Sequence, residues 1–351
     1  MVEPKILVFG SINIDEFFDV PHIVFSGETI TSAKYTQKAG GKGANQSVAI
    51  AKAGARVWHV GKIGHDGIWI KQYMENQLVN VDHIIISKEQ PTGRAIIQLS
   101  QETRDNAIIL LPGTNYLLNE IEAQEVLAQG FGKGDWSVFQ NEIGLIGGKI
   151  LKLCKNLGLT TVLNAAPISE NITKTFSFDL VDYLIVNKLE ATQLYRQIFT
   201  INVTSELSSS ELLDALSNAF PQLIGIIITL GSDGLVAWFG PEKRVYTLPA
   251  FKTTLCDTTG AGDAFTGYFV ASLARNQLKN EKNSGLISVD TESSILLTAE
   301  QFLNSLKEAI VAAGLAVSKH DYPYKPHILK IPSQFDLSLP CPPKFLEKKI
   351  L

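Results

Sequence analysis

Residues 256–271 read Cys-Asp-Thr-Thr-Gly-Ala-Gly-Asp-Ala-Phe-Thr-Gly-Tyr-Phe-Val-Ala, a glycine-rich turn that leads directly into an apolar helix. Glycine allows backbone angles that other residues rarely adopt, so several N–H groups can converge where the helix dipole adds positive potential. This predicts an anion-binding turn at Gly260, Ala261 and Gly262. Beside it, the carboxylate of Asp263 is a poor phosphate ligand but a good proton acceptor, which predicts a general base next to a transferring phosphoryl group. Because Asp and Gly are also common in caps and turns, the segment alone fits a structural helix cap equally well.

Short apolar runs alternate with longer helical patterns along most of the chain. Such alternation predicts an α/β fold with a doubly wound, mostly parallel sheet flanked by helices. The runs are continuously apolar, as expected of strands that are buried on both faces. They are Lys5–Phe9, Ser137–Phe139, Thr160–Leu163, Tyr183–Val186 and Ile224–Thr229.

Polar residues follow these runs at their carboxyl ends, where open α/β sheets bind ligands. A single polar residue after a strand is usually a turn former, but several at the same sheet edge predict a cleft. The residues are Asn13 and Asp15, Asn141 and Glu142, Asn164, Asn187, and Thr229 with Gly231.

A second glycine-to-helix junction lies near the N-terminus, where residues 39–54 read Ala-Gly-Gly-Lys-Gly-Ala-Asn-Gln-Ser-Val-Ala-Ile-Ala-Lys-Ala-Gly. Two junctions of this kind predict a ligand with two parts. Together with Gly10–Asp15, they resemble the ribokinase branch of the PfkB sugar-kinase family. Its two signatures correspond to Gly40–Asp66 and Asp257–Phe269, in the expected order, and the resemblance extends from Lys5 to about Pro326.

The resemblance implies a binding site for a sugar. Carboxylates can accept hydrogen bonds from sugar hydroxyls while amides and an ammonium group donate, so the matched side chains complement a polyol. Asn13 and Asp15 could instead be turn residues, and Asn45 could cap a helix. The positions that match the family's sugar contacts are Asn13, Asp15, Gly41, Lys42, Gly43, Ala44, Asn45, Glu142 and Asp263.

The resemblance also implies a nucleotide site that binds ATP with Mg²⁺. Asn187 and Glu190 match an element near the triphosphate, where they could hold metal-bound waters, although their spacing is also that of a helix capping box. The positions matched to ATP contacts are Asn187, Glu190, Thr229, Leu230, Gly231, Ser232, Asp233, Gly234 and Gly262.

A potassium site is implied at Asp257 and Thr259, which match the family's ligands for a monovalent cation. The family usually supplies further ligands from a loop after the last core helix. Here that loop is shortened around Lys319–Tyr324, which leaves potassium activation and the shape of the adenine pocket open.

Further apolar runs interrupt the main rhythm and predict a separate small sheet, with strands within about 16–36 and 93–111. In the resembled family such a sheet is a lid over the sugar. Because a sheet with few strands cannot bury both faces alone, the resemblance implies a homodimer through the lid. The runs are Glu16–Val20, Ile30–Tyr35, Gly93–Leu99 and Ala107–Leu111.

The chain is otherwise predicted to form a single domain over residues 1–351. The segment from about 276 to 298 lacks a periodic apolar face, which predicts an exposed insertion.

Composition favours a small-molecule partner in the cytoplasm. With a net charge of −4 and a pI near 5.9, the chain has no basic field for nucleic acid or an anionic membrane. No apolar stretch approaches the ~20 residues of a membrane span. Three scattered cysteines, Cys154, Cys256 and Cys341, favour a reducing compartment, and a nuclear location is also compatible with them.

Two other nucleotide-binding classes are disfavoured. Gly40-Gly-Lys-Gly43 lacks the Ser or Thr that follows Lys in a P-loop, and Gly10–Asp15 lacks the glycine spacing of a dinucleotide-binding turn. The sequence therefore predicts ATP-dependent phosphorylation of the 5-hydroxyl of D-ribose, giving D-ribose 5-phosphate and ADP. A kinase for another sugar or a nucleoside, or a catalytically silent sugar-binding regulator, are the alternatives.

Overall fold

A computed structural model describes residues 3–103, 105–199, 206–254, 256, 258–283 and 297–318, and its α/β architecture confirms the predicted fold class. The strands are β1 (Lys5–Phe9), β2 (Asn13–Val20), β3 (Lys34–Gly40), β4 (Arg56–Ile63), β5 (Ile84–Ile86), β6 (Gly93–Ser100), β7 (Asn106–Leu111), β8 (Trp136–Gln140), β9 (Thr160–Asn164), β10 (Tyr183–Asn187), β11 (Gly225–Thr229), β12 (Leu235–Phe239) and β13 (Arg244–Leu248). The helices are α1 (Lys42–Lys52), α2 (Ile68–Asn76), α3 (Glu120–Leu127), α4 (Ile146–Asn156), α5 (Ile172–Thr175), α6 (Lys188–Phe199), α7 (Ser209–Ala219), α8 (Ala261–Asn283) and α9 (Ala299–Val317).

The large sheet has nine strands in the order β13-β12-β11-β10-β9-β8-β1-β4-β5. Its strands pair in parallel except for β12 and β13, which are antiparallel to their neighbours. The five predicted core strands are β1, β8, β9, β10 and β11. Sequence analysis did not identify β4, where His59 and Lys62 interrupt the apolar pattern of a buried strand.

Side chains of the large sheet alternate between two apolar cores, one on each face. In β1, Ile6 and Val8 belong to the core that also contains Phe269 of α8 and Phe302 of α9. Leu7 and Phe9, which alternate with them, belong to the other core, which is covered by α3, α4, α6 and α7. This double burial accounts for the continuously apolar runs in the sequence.

The second sheet, called the lid sheet below, has four strands in the order β3-β2-β6-β7. The prediction placed its second strand at Ile30–Tyr35, which is wrong, because β3 runs from Lys34 to Gly40. Residues 30–33 of the predicted run lie before the strand, and β3 itself carries exposed polar side chains, so a search for apolar runs does not find it.

Helices α1 and α8 begin at the two glycine-rich junctions and pack against each other. Gly267 of α8 lies so close to α1 that a Cβ atom there would collide with the Cβ of Ala49 and lie 2.9 Å from the backbone nitrogen of Ile50. The missing side chain thus allows the two junctions to approach each other.

Helix α8 continues to Asn283, so the first residues of the predicted insertion are its last turns. Residues 284–296 of that segment lie outside the described residues. Among the helices that the structure describes, none is long and apolar enough to cross a bilayer.

Candidate active site

Asp263 lies in the first turn of α8 and is 8% exposed. Its side chain reaches across to α1, where Oδ2 accepts a hydrogen bond from Asn45 Nδ2 at 3.1 Å and Oδ1 accepts one from Gln46 Nε2 at 3.0 Å. Burial raises the pKa of this carboxyl above its usual range, while Lys42 and the two amide donors oppose that rise. The carboxylate therefore joins the two junctions, which a residue serving only as a cap of its own helix would not do.

The turn before α8 has the backbone geometry that its glycines predict. Gly260 adopts a φ of 78°, in the left-handed region that favours glycine. Its carbonyl accepts the first helical hydrogen bond from the nitrogen of Ala264 at 2.8 Å. A Cβ atom on Gly262 would have no neighbour within 4 Å, so this side of the turn is open.

Two adjoining cavities lie at this edge of the large sheet, and the turn lines one of them. One, of about 240 Å³, is lined by residues that include Lys42, Asn164, Glu190, Gly260 and Asp263. The other, of about 390 Å³, lies beside the end of β11. They share Asn187 and Thr229, so the predicted sugar and nucleotide positions border a continuous concave surface.

Asp15 projects from β2, which pairs with β3 so that Asp15 lies opposite Lys38. Its carboxylate occupies the space that a side chain on Gly40 would need. Burial, together with the carboxylates of Glu142 and Asp263, raises the pKa of Asp15 to about 7, and the ammonium group of Lys38 opposes that rise. Asp15 is thus an acceptor whose charge changes near neutral pH.

Lys42 lies among three carboxylates at the start of α1. Burial alone would lower the pKa of its ammonium group, but Asp263, Glu142 and Glu190 outweigh that effect and raise it. Lys42 is therefore a stable positive charge between the predicted sugar and nucleotide residues.

Glu142 is held by donors from two segments. Ser11 Oγ and the backbone nitrogen of Lys42, at 3.1 Å, both donate to its Oε2. Burial raises the pKa of Glu142, and Lys42 and these two donors counteract the rise. The backbone at the start of α1 thereby orients one predicted sugar acceptor.

Asn115 is a site residue that the sequence analysis missed. Its Nδ2 donates to Asn13 Oδ1 at 2.7 Å, and its Oδ1 accepts from the backbone nitrogen of Ile12 at 2.9 Å. This contact turns the Nδ2 group of Asn13 away from Asn115. In the sequence, Asn115 ends the turn Pro112-Gly-Thr-Asn115 after the last lid strand. Asparagine is common in turns, so nothing in the sequence marked this one as part of a site.

Asn187 and Glu190 form the capping box that their spacing allows. The backbone nitrogen of Asn187 donates to Glu190 Oε2 and that of Glu190 donates to Asn187 Oδ1, both at 2.8 Å. Burial raises the pKa of Glu190, an effect that Asn187 and Lys42 oppose. The helix cap uses Oε2 of Glu190, so the other carboxylate oxygen of Glu190 is not needed for the cap.

The predicted ATP segment, Thr229–Gly234, leaves β11 as a tight turn. Gly231 and Gly234 have φ values of 59° and 96°, and the nitrogen of Leu230 donates to the carbonyl of Gly234 at 2.8 Å. Ser232 and Asp233 lie within this turn, beside the larger cavity.

The predicted potassium site is only partly described. Thr259 lies two residues before the start of α8, whereas Asp257 and the shortened loop at Lys319–Tyr324 lie outside the described residues. Among the residues that are described, no cluster of three or more His, Cys, Asp and Glu side chains could hold a metal ion by itself.

Comparison with known proteins identifies the family. Residues 3–290 match the sequence model of the pfkB family of carbohydrate kinases. The chain is 32% identical over 278 residues to a ribokinase of Haemophilus influenzae, covering 78% of this chain and 87% of that protein. It is 33% identical over 284 residues to a ribokinase of Staphylococcus aureus, with the same shares covered.

A crystal structure of the ribokinase of Cryptococcus neoformans in complex with ADP superposes with a TM-score of 0.69 at 34% identity, covering 91% of this chain and 94% of that one. The chain therefore belongs to the pfkB family, and it is a carbohydrate kinase.

Proposed function

We propose that the protein transfers the γ-phosphoryl group of ATP to the 5-hydroxyl of D-ribose, giving D-ribose 5-phosphate and ADP. The observation that carries this proposal is the position of Asp263, which is buried and lines a cavity together with the sugar-matched Lys42 and the nucleotide-matched residues Asn187, Glu190 and Thr229. The relatives in bacteria and the solved fungal structure are ribokinases, which favours ribose as the acceptor.

In the proposed reaction, Asp263 accepts the proton of the sugar hydroxyl. The electron pair of the sugar oxygen forms the new bond to the γ-phosphorus, and the bond to the bridging oxygen breaks so that its pair leaves with ADP. The transition state carries its charge on the γ-phosphoryl oxygens, which the backbone N–H groups at Gly260–Gly262 and the ammonium of Lys42 can stabilise. Asp15, Asn13, Asn45 and Glu142 would orient the acceptor.

Mg²⁺ is proposed to arrive with ATP, because the described residues hold no cluster that could bind a metal alone. When bound, it would neutralise charge on the phosphates. The oxygen of Glu190 outside the capping box suits a metal-bound water, in keeping with the preference of Mg²⁺ for few carboxylates and several waters. A potassium ion beside Thr259 and Asp257 is proposed on the family's pattern alone.

A homodimer formed through the lid sheet is also proposed. The strand pairing places Asp15, Ala95 and Leu110 on one face, and side chains on a strand alternate between faces. Phe17, Ile97 and Ile108 lie on that same face, which is therefore mostly apolar around the sugar acceptor. A second copy of the chain would cover it.

Because the cysteines are few and scattered, we infer a reducing compartment, the cytoplasm.

The testing experiment is coupled ATP turnover with D-ribose, D-fructose, adenosine and no acceptor, each with Mg²⁺ and with or without potassium. Turnover that requires ribose supports the proposal, and its potassium response tests the cation site. Turnover only with another acceptor would replace ribose, whereas ribose binding without turnover would favour a sugar-binding regulator.

The variant Asp263→Asn tests the proposed base. Amide substitution keeps the shape of the side chain but removes its basicity, so we expect kcat to fall by about 10²–10⁴-fold while ribose still binds. Near-native turnover by the folded variant would refute this role for Asp263.

A further inference from the structure

Gln46 is a fully buried polar residue in α1 whose amide is completely hydrogen-bonded, although no family contact was matched to it. Its Nε2 donates to Asp263 Oδ1 at 3.0 Å and to Asn164 Oδ1 at 2.9 Å. Burying an amide is unfavourable unless it has such partners, and an apolar side chain here would leave these buried partners without a hydrogen bond. The contact with Asp263 is the one that gives this buried amide a chemical role.

The orientation of the Gln46 amide is determined by its neighbours. Gln140 Nε2 donates to Gln46 Oε1 at 2.6 Å, so the opposite end of the amide must face Asp263. Asn164 is oriented in turn, because its Nδ2 donates to the carbonyl of Ile185 at 3.1 Å. The ends of β8 and β9 thus determine which atom of Gln46 reaches the carboxylate.

This arrangement makes the two oxygens of Asp263 different. Oδ1 faces the buried amide of Gln46, whereas Oδ2 faces Asn45, a partly exposed residue matched to the sugar site. A sugar hydroxyl can approach Oδ2 from the cleft, but Gln46 occupies the deep side.

We propose that Gln46 is a positioning residue for the phosphoryl transfer: it holds Oδ1 of Asp263 and thereby presents Oδ2 as the atom that accepts the proton of the sugar hydroxyl. The inference rests on the proposed function, in which Asp263 is the base. The sugar O–H bond breaks as the proton moves to Oδ2, and the freed electron pair forms the bond to phosphorus. Gln46 gives and takes no proton in this step.

A second effect follows from the same hydrogen bond. Burial raises the pKa of Asp263, and the charge of Lys42 and the hydrogen bonds from Gln46 and Asn45 limit that rise. Removal of the Gln46 donor should therefore leave the carboxylate harder to ionise as well as less firmly oriented.

The test is the variant Gln46→Met, which keeps a side chain of similar length and volume but cannot donate. We expect kcat with ribose to fall about 10–100-fold, since a small misplacement of a catalytic group has effects of that size. KM for ribose and ATP should change by less than about threefold, because Gln46 contacts neither ligand in the proposal. The acidic limb of the kcat–pH profile should move to higher pH.

The matched control is Thr266→Val, which removes a buried hydroxyl from α8 itself. Thr266 is fully buried, and its Oγ1 has no hydrogen-bond partner among the described residues. This variant should keep the native kcat and acidic limb. An unchanged kcat and acidic limb in folded Gln46→Met would overturn the proposal, as would an equal loss in both variants without a shift of the limb.

If Gln46→Met does not fold, the variant Gln140→Met provides a second test. It removes the donor that orients Gln46 and leaves Asp263 unchanged. It should lower kcat less than Gln46→Met and shift the acidic limb in the same direction, and a native profile would count against the proposal. Near-native turnover by Asp263→Asn would instead refute Asp263 as the general base. This result distinguishes failure of the proposed function from failure of the role proposed for Gln46. If another acceptor replaces ribose, all profiles are measured with that acceptor.

Discussion

At the scale of single residues, the site depends on how carboxylates are kept close together in a partly buried cleft. The carboxylates of Glu142 and Asp263 raise the pKa of Asp15, and Asp263 also raises that of Glu142, while Lys42 lowers the pKa of both Glu142 and Asp263. Asp15, with a pKa of about 7, is the acceptor whose ionisation falls in the working pH range.

Ribose binding should therefore weaken as the pH falls through about 7. Above that value Asp15 is ionised and accepts strongly from a sugar hydroxyl, and below it the proton removes that charge. We expect the Kd for ribose, measured by calorimetry without ATP, to rise several-fold from pH 8 to pH 6, with a slope of at most about tenfold per pH unit.

Asp15→Asn is the control for this pH dependence. The variant should bind ribose more weakly at pH 8 and show a much flatter profile, because its amide does not titrate. A wild-type Kd that is constant between pH 6 and pH 8 would contradict the assignment.

Motifs in the sequence predicted the side chains that would face a ligand, but not those that orient them. Asp263 stands in a recognisable turn, and the structure places it in one cavity with Lys42, in hydrogen-bond contact with Asn45 and close enough to Asp15 to raise its pKa. Gln46 and Asn115 were missed because their partners are other side chains, and Gln46 is 217 positions from Asp263. Local spacing carries no information about a contact of that range.

At the scale of helices and strands, the packing of α1 on α8 determines the geometry of the site. The two helices carry Lys42, Asn45 and Gln46 on one side and Asp263 on the other. They approach closely at Gly267, where only the side chain of Ala49 lies between them.

Gly267→Ala should push the two helices apart. The added Cβ would collide with Ala49 and press on the backbone of Ile50, neither of which can move by rotating a flexible side chain. Overpacking of this kind typically costs about 1–3 kcal/mol, so urea unfolding should show a loss in that range together with a reduced kcat. The control is Gly132→Ala, whose Cβ would meet only the carbonyl of Leu157 at 3.7 Å. Equal stability of the two variants would argue against a tight helix contact.

Sequence patterns identified the strands whose side chains are buried on both faces. They did not identify strands in which buried and exposed side chains are mixed. The core strands are apolar on both faces, so their runs were continuous and easily placed. In contrast, β3 alternates exposed polar residues, and β12 and β13 form an antiparallel pair at the sheet edge that does not follow the βα rhythm. The missing information was the neighbour of each strand, which only the folded chain supplies.

At the scale of the whole molecule, the lid sheet presents exposed apolar side chains at its edge. In β7, Ile108 and Leu110 are 53% and 52% exposed, and Ile109 and Leu111 are 59% and 46% exposed. The first pair lies on the face that carries Asp15, whereas the second lies on the face of the Glu16–Arg94 ion pair. The proposed dimer should use the first face, where Phe17, Ile97 and Ile108 form an apolar row beside Asp15.

The double variant Ile108→Lys with Leu110→Lys should therefore be monomeric in sedimentation equilibrium at concentrations where the unaltered chain is dimeric. Lysines on the opposite face, Ile109→Lys with Leu111→Lys, are a matched control of equal exposure and should leave the dimer intact. A monomeric unaltered chain would refute the dimer, and dissociation by only the second pair would assign it to the other face.

The contact between Asp15 and Gly40 also limits how this sequence can diverge. A carboxylate stands where a side chain at position 40 would project, so the two positions are not independent in evolution. A lineage that acquires alanine at position 40 must shorten or move residue 15, and with it the proposed acceptor of the sugar hydroxyl. Among descendants of this chain, glycine at position 40 would thus mark those that retain the acid at position 15.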